Sequence, residues 1–442
     1  MKSIYFNFIV ISIFLFDCLG LKAEDTFTVN NMTFSLINTK EVAIENLEVP
    51  QDGKVVLPSE ITYNNRTFKV SKIGGAYRGD PWGTLFKNPE KLISIVIPST
   101  IDYIAVKSTS AWYCSNQFRE CTHLKKVTIE DSDKDLYFPS NNTDADVREP
   151  LFINCPLEEV YIGRNIKYGI WDRYTYSEML RGKNFGSPFK NSKTLKKVEF
   201  GNKVSIINKG CFYGCEKLKE VKIPKGVTMI PDCAFYHCYS LSHLVLHDNI
   251  QSIGHYVFTG ISITSIVFPS SLETIGDNVF RDCNKLISVS INDKIKIISM
   301  GVFQDCTSLL KLTIGKSVEI IKNYAFHNTS IEMIESKIED PSKCSIETGS
   351  AYSKAAFPIS VYTFATLHVP IGTKNKYLAS YPWSEFVDIR EDLPSVVKTL
   401  EDNNSNNKLR YSLNGQRVSQ PQKGITIIKK SDGSTKKIID SF

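Results

Sequence analysis

Apolar and polar positions follow one another along this chain in a pattern that repeats. Between Phe189 and Thr329 the string Phe-x-x-Cys-x-x-Leu-x-x-Val-x-Ile returns at a nearly fixed interval. Its phenylalanines are Phe189, Phe212, Phe235, Phe258, Phe280, Phe303 and Phe326, in steps of 23, 23, 23, 22, 23 and 23 residues. Six residues after most of them stands Leu195, Leu218, Leu241, Leu286 or Leu309, with Ile263 in the shorter coil. Next come pairs spaced by two, such as Val198 and Phe200, Val221 and Ile223, Leu244 and Leu246, and Leu312 and Ile314. Alternation at period two predicts a short strand with these side chains inward. A second inward pair follows, such as Val227 and Ile230 or Val318 and Ile321, and the residues before each Phe, such as Asp277-Asn278-Val279, suit one tight helical turn. A period in this range predicts a solenoid, in which a repeat buries its apolar face only against its neighbours. The expected architecture is β-dominated and parallel-stranded, a right-handed superhelix with short helical turns.

The spacing loosens upstream. Phe86, Phe118 and Phe152 precede the next anchor by 32, 34 and 37 residues, so residues 76–330 divide into irregular coils up to 188 and regular coils from 189. The extra residues fall near 74–84, 102–115, 131–150 and 168–187. Insertions in repeat proteins emerge as loops and often carry binding. The last is rich in rings, and Trp171, Tyr174 and Tyr176 are candidate ligand contacts. The competing reading is that these rings only pack the loop onto the solenoid. Residues 24–75 alternate as strands and predict an N-terminal β cap, with Asn64-Asn65 as a turn. From Ile331 the period fails, and residues 331–392 predict a C-terminal cap around Trp383 and Phe386. A polar linker over 393–407 then leads to a small β-hairpin tail, 408–442, with turn signals at Asn414-Gly415 and Asp432-Gly433.

Composition adds two constraints. Lys2, the apolar run Ile4 to Phe16 and Ala23 before Glu24 predict a cleaved secretory signal over residues 1–23. The run is short for a membrane span, and Asp17 before Cys18 argues against a lipoprotein cut. The formal net charge is +6 from 53 basic and 47 acidic residues, with no long basic block. That gives no argument for nucleic acid or an anionic membrane surface as a partner. Export would permit disulfides. Yet Cys121, Cys155, Cys215, Cys238, Cys283 and Cys306 all lie three residues after a motif Phe, a slot that elsewhere holds Pro89, Ser192, Ile261 or Thr329. A slot that accepts Ile predicts a small buried packing site with free thiols. Cys114, Cys211, Cys233 and Cys344 are off the pattern, and their state is left open.

The stretch Phe212 to Ile230 carries Phe-x-x-Cys-x-x-Leu-x-x-Val-x-Ile-Pro-x-x-Val-x-x-Ile in full, including Pro224. It resembles the BspA-like leucine-rich repeats of bacterial surface proteins of the Bacteroidetes. The run from Val56 to Gly74 and the segments Ala365 to Tyr377 and Trp383 to Ile389 look like that family's opening and closing segments. The resemblance spans roughly residues 50–390. It implies an α/β leucine-rich-repeat solenoid, and a role in attachment to host matrix proteins or other cells. The tail resembles C-terminal β-tails of exported Bacteroidetes proteins, which implies a sorting or attachment module.

No catalytic motif appears. There is no Gly-x-Ser-x-Gly, His-Glu-x-x-His or phosphate loop, so no enzyme activity and no cofactor are expected. His237, His243, His247 and His255 cluster without ligand spacing. Asp131-Ser132-Asp133-Lys134-Asp135 opens like a calcium loop, but Leu136 replaces the turn glycine, so no metal site is assigned. The candidate binding residues are therefore outward strand positions: Lys197, Glu199, Glu220, Lys222, His243 and Lys311. The expected function is an exported cell-surface binding or adhesion protein that recognises a host or bacterial surface protein, or a glycan, through the solenoid face. The alternative is a glycan-binding accessory of a polysaccharide-uptake system, with the 168–187 aromatics as the contact. A monomer at the cell surface or outside the cell, rather than in the periplasm, is expected. Nucleic acid is not an expected partner, and membrane association is expected only through surface attachment.

Overall fold

The structure is a computed structural model. It describes residues 26–74, 85–105, 107–110, 113–115, 117–118, 120–138, 150–152, 154–168, 186–350, 354–394, 410–411, 424–429 and 435–440. The signal (1–23), the aromatics Trp171, Tyr174 and Tyr176, most of the linker and the turns at Asn414-Gly415 and Asp432-Gly433 lie outside the described residues. The chain forms two compact units, Met1–Thr264 with Thr274–Asn284 and Ser265–Glu273 with Lys285–Phe442.

Each coil begins with the strand that period two predicts. In the first unit, Lys54–Val56, Ser94–Ile97, Lys126–Ile129, Glu159–Ile162, Lys197–Phe200, Glu220–Lys222 and His243–Val245 form one sheet, all neighbours parallel. In the second, Ser265–Val267, Ser288–Ser290, Lys311–Ile314, Met333–Ser336, Thr366–Pro370 and Asp388–Leu393 do the same. Val127, Val160, Val198, Val221 and Val289 point inward and are buried. Leu244 and Leu246, also expected inward, are only half-buried. Leu244 belongs to the edge strand of the first unit's sheet, which has a neighbour strand on one side only, and Leu246 follows that strand. The second inward pair forms a narrower sheet, as at Met229–Ile230, Ser252–Ile253 and Thr274–Ile275, or at Ile297–Ile298, Ile320–Ile321 and Ser345–Ile346. The chain is thus a β-dominated solenoid in each unit.

The segment around each Phe departs from the expected helical turn. Two residues before the Phe the backbone is left-handed at Gly210, Cys233, Tyr256, Asn278, Gly301 and Tyr324. Two residues after it, Asn191, Gly214, His237, Gly260, Asp282, Asp305 and Asn328 are left-handed as well. L-residues do not continue a right-handed helix through such positions. Alternation of this kind turns every second N–H toward the next coil. Gly210, Phe212 and Gly214 donate to the carbonyls of Asp232, Ala234 and Tyr236 at 3.0, 2.8 and 2.8 Å. Cys233, Phe235 and His237 repeat the pattern onto His255, Val257 and Thr259. Among the described residues the helices lie outside the regular coils, at Pro89–Lys91, Pro341–Lys343, Ile359–Phe364, Lys374–Leu378 and Trp383–Glu385.

This ladder stacks the phenylalanines. Rings from Phe152 to Phe280 in the first unit are nearly parallel, with centroids 5.5 to 5.8 Å apart. Phe86, Phe118 and Phe152 stack with more tilt, 53–54°. In the second unit Phe303 and Phe326 are 5.6 Å apart, and Phe357 extends the column at 4.8 Å. The coil stack therefore continues past residue 330, where the sequence period stops. Each buried ring contributes roughly 1.5–3 kcal/mol, which makes the column a principal source of stability. Cysteines of the slot are free and buried. Their thiols donate to the preceding coil's Phe carbonyl, as from Cys155 to Phe118, Cys215 to Phe189, Cys238 to Phe212 and Cys283 to Phe258, at 3.2–3.3 Å. Cys211, Cys233 and Cys344 are free and buried too.

Residues 26–74 form hairpins at one end of the first unit. Thr26–Val29 pairs antiparallel with Met32–Leu36, and Glu60–Tyr63 with Arg66–Ile73. Both turns are two-residue Asn-Asn turns with positive φ, at Asn30-Asn31 and Asn64-Asn65. In the second unit, the buried Trp383 donates through Nε1 to the Cys344 carbonyl at 3.2 Å, edge-on to Tyr377. The tail backbone forms an antiparallel sheet of Arg410–Tyr411, Gly424–Lys429 and Thr435–Asp440.

Candidate binding surface

Parallel, in-register strands convert alternation within one coil into rows across many. Where inward residues are apolar and buried, every second residue must face out. In the first unit, Ser94, Lys126, Glu159, Lys197, Glu220 and His243 align in one row. Beside it run Val96, Thr128, Tyr161 and Glu199, with Lys222 paired to Val245 further on. The predicted residues Lys197, Glu199, Glu220, Lys222 and His243 are all exposed here, on one sheet face. Lys311 is exposed on the second unit's face, in the row Ser265, Ser288, Lys311, Met333, Thr366 and Asp388.

The two faces differ in their electrostatics. On the first, opposite charges answer one another. Lys126 meets Glu159 at 3.3 Å, and Lys197 meets Glu199 at 2.5 Å. The Lys197 ammonium is pushed up from its ordinary range by the hydrogen bond to Glu199. At the strand entrance, Glu158 is shared by Lys196 and Lys125, which hold its carboxyl below the usual range. Tyr161 donates to Asp131 at 2.8 Å. Exposed pairs of this kind contribute little to stability. They therefore fix a pattern of charge more than they hold the fold. On the second face hydroxyls and apolar groups dominate. Val267 is 74% exposed, and Thr313 donates to Glu335 at 3.2 Å. Lys311 has no ion-pair partner among the described residues.

A shallow depression lies on each face. The first, of about 220 Å³, lies over Lys126, Glu159, Tyr161 and Lys197; the second, of about 200 Å³, over Val267, Ser290, Lys311 and Met333. Pockets for small organic ligands run from about 300 to 1,000 Å³. Both depressions fall below that range.

The other sequence candidates separate in space. Asp131 accepts from Tyr161, Asp133 meets Lys203 at 2.9 Å, and Asp135 meets Lys167 at 2.6 Å, so the three carboxylates do not converge. His247 contacts the Pro224 carbonyl at 2.8 Å, His255 contacts Asp277, and His237 stacks on tyrosines. Among the described residues no three His, Cys, Asp or Glu side chains gather as metal ligands. No helix among them is long and apolar enough to cross a membrane. The left-handed row two residues after each Phe escaped the sequence reading. Its signal was present, because Asn, Gly and Asp fill that position in all the regular coils but one.

A family model described as a BspA type leucine rich repeat region matches residues 186–260 and 228–347, with six copies. No curated protein matches the chain. Among solved structures, a leucine-rich repeat protein from Bacteroides ovatus is similar at 19% identity and a TM-score of 0.42, over 72% of this chain and 87% of that one. A leucine rich cell surface protein from Faecalibacterium prausnitzii is similar at 18% identity and a TM-score of 0.33, over 84% and 96%. The pneumococcal vaccine antigen PcpA is similar at 17% identity and a TM-score of 0.36, over 84% and 100%. Residues 186–347 of this chain are thus a BspA-type leucine-rich repeat region.

Proposed function

We propose that this chain is an exported cell-surface protein that binds a protein partner through the outward faces of its parallel sheets. The observation that carries the reading is the row structure of those faces. Recurring residues of the repeat are spent on packing, whereas the outward positions vary from coil to coil: Lys126, Glu159, Lys197, Glu220 and His243 in one row. A varied, wide and nearly flat surface supports recognition of another macromolecule. Alternating charge supports selectivity more than raw affinity. The signal-like residues 1–23 support export, and the strands at 410–440 support a tail that holds the protein at the surface.

A binding screen of the mature chain against extracellular-matrix proteins, mucins and neighbouring bacterial cells tests the reading, alongside protease shaving of intact producing cells. The expected result is shaving of the repeat region from the cell exterior and saturable binding to at least one protein of the panel. Surface exposure with silence across the whole panel would contradict it.

A further inference from the structure

Among the regular coils, the left-handed slot two residues after the Phe holds Asn, Gly or Asp everywhere except at His237, whose φ is 58°. Histidine, like Asn and Asp, tolerates this region of backbone space, so the departure at His237 lies in what its ring contributes. The His237 ring lies on Tyr236 at a centroid distance of 3.8 Å and on Tyr239 at 4.8 Å. Tyr236 rests in turn on Tyr213 at 4.9 Å. The column ends in the open: Tyr239 is 46% exposed. In the next coil the same slot is Gly260, where a Cβ would stand 3.0 Å from Tyr239 Cε1 and 3.4 Å from His237 Cδ2. Glycine therefore lets these two rings settle against the coil below. Next to the rings, Lys193 and Glu216 form an ion pair. Burial, with Lys193 nearby, pushes the His237 imidazole down to about 4, so it is neutral at physiological pH.

A half-exposed tyrosine ring stacked on a His237–Tyr236–Tyr213 column, with a carboxylate, an ammonium and a neutral imidazole nearby, matches one ligand chemistry well. A pyranose offers C–H bonds on one face and hydroxyls at its rim that both donate and accept. We propose that Tyr239 and His237 form a carbohydrate-binding site, with the sugar ring stacked on Tyr239 and its hydroxyls met by Glu216 and Lys193. The site lies in the turn that follows the Phe and uses none of the outward strand positions, so it stands independently of the sheet-face reading.

Affinity electrophoresis of the mature chain in native gels containing mannan, xylan, β-1,3-glucan or mucin tests this directly. The wild type should be retarded by at least one of the four. Tyr239→Ala and His237→Asn should each raise the dissociation constant about tenfold or more. His237→Asn should leave the melting temperature unchanged or higher, because Asn is at home in the left-handed slot. That separates a lost contact from a lost fold. Free migration of the wild type in all four gels would overturn the proposal. Equal retardation of wild type and His237→Asn would assign the ring stack to packing alone and overturn it as well.

Discussion

At the scale of single residues, the fold depends on positions that look minor in the sequence. Left-handed slots flank each Phe from Phe212 to Phe326, and N–H groups of these segments reach the next coil. Asn328 occupies one of them and also donates to Asp305 at 3.1 Å. Asn328→Val should therefore destabilise the chain by about 1–3 kcal/mol, read as a lower urea midpoint. An unchanged midpoint would show that the slot tolerates branched residues. The buried thiols make a second prediction. Burial pushes Cys155, Cys211 and Cys344 up to about 12. In the unfolded chain they ionise near the ordinary value of about 8.5. Their folded pKa values are raised, so the stabilisation is complete below that ordinary value and is lost as pH climbs toward 12. In reducing buffer the urea midpoint should be flat to about pH 8 and fall steadily above it; a flat profile to about pH 10.5 would contradict this. The inward residues were legible because packing imposes a period. Arg164 was not: it is wholly buried and donates to the carbonyls of Pro98 and Ser99, a pairing that depends on chain path and leaves no local signature.

At the scale of the element, the coil is the unit of both stability and error. The strand positions followed from alternation. The turn around Phe did not, because a short polar stretch before an aromatic reads equally as helical turn or as alternating backbone. Only the N–H ladder, with three bonds in the coils of Phe212, Phe235, Phe258 and Phe303, decides between them. The stack past residue 330 was hidden for a related reason. Phe357 lies 31 residues after Phe326, so the sequence period breaks while the column continues. If each coil contacts only its neighbours, a whole coil can be removed without changing the register of the rest. Deleting residues 213–235, one full period of 23 residues, should leave a folded chain with a cooperative melt. Deleting residues 213–224 should not, because Phe and strand positions then fall out of step. Equal damage from both deletions would contradict nearest-neighbour stacking.

At the scale of the whole molecule, packing and recognition are assigned to different residues. The BspA-type repeats supply ladders of Phe, Cys, Leu, Val and Ile that are almost entirely buried, leaving the outward positions unconstrained by the fold. The sequence placed Lys197, Glu199, Glu220, Lys222, His243 and Lys311 on the outside from strand period alone, and the structure groups them by unit: five on one face, Lys311 on another. What period could not reveal is which faces are neutralised from within. The ion pairs of the first face depend on side-chain reach across neighbouring strands, whereas the hydroxyl and apolar second face keeps its Lys311 available. The most direct measurement is binding of the mature chain to the protein recovered by the surface screen, after filling each depression with a bulky side chain. Thr128→Trp and Ser290→Trp, both at outward positions, should leave the melting temperature nearly unchanged while at least one of them abolishes binding. Full binding by both variants would contradict recognition through the sheet faces.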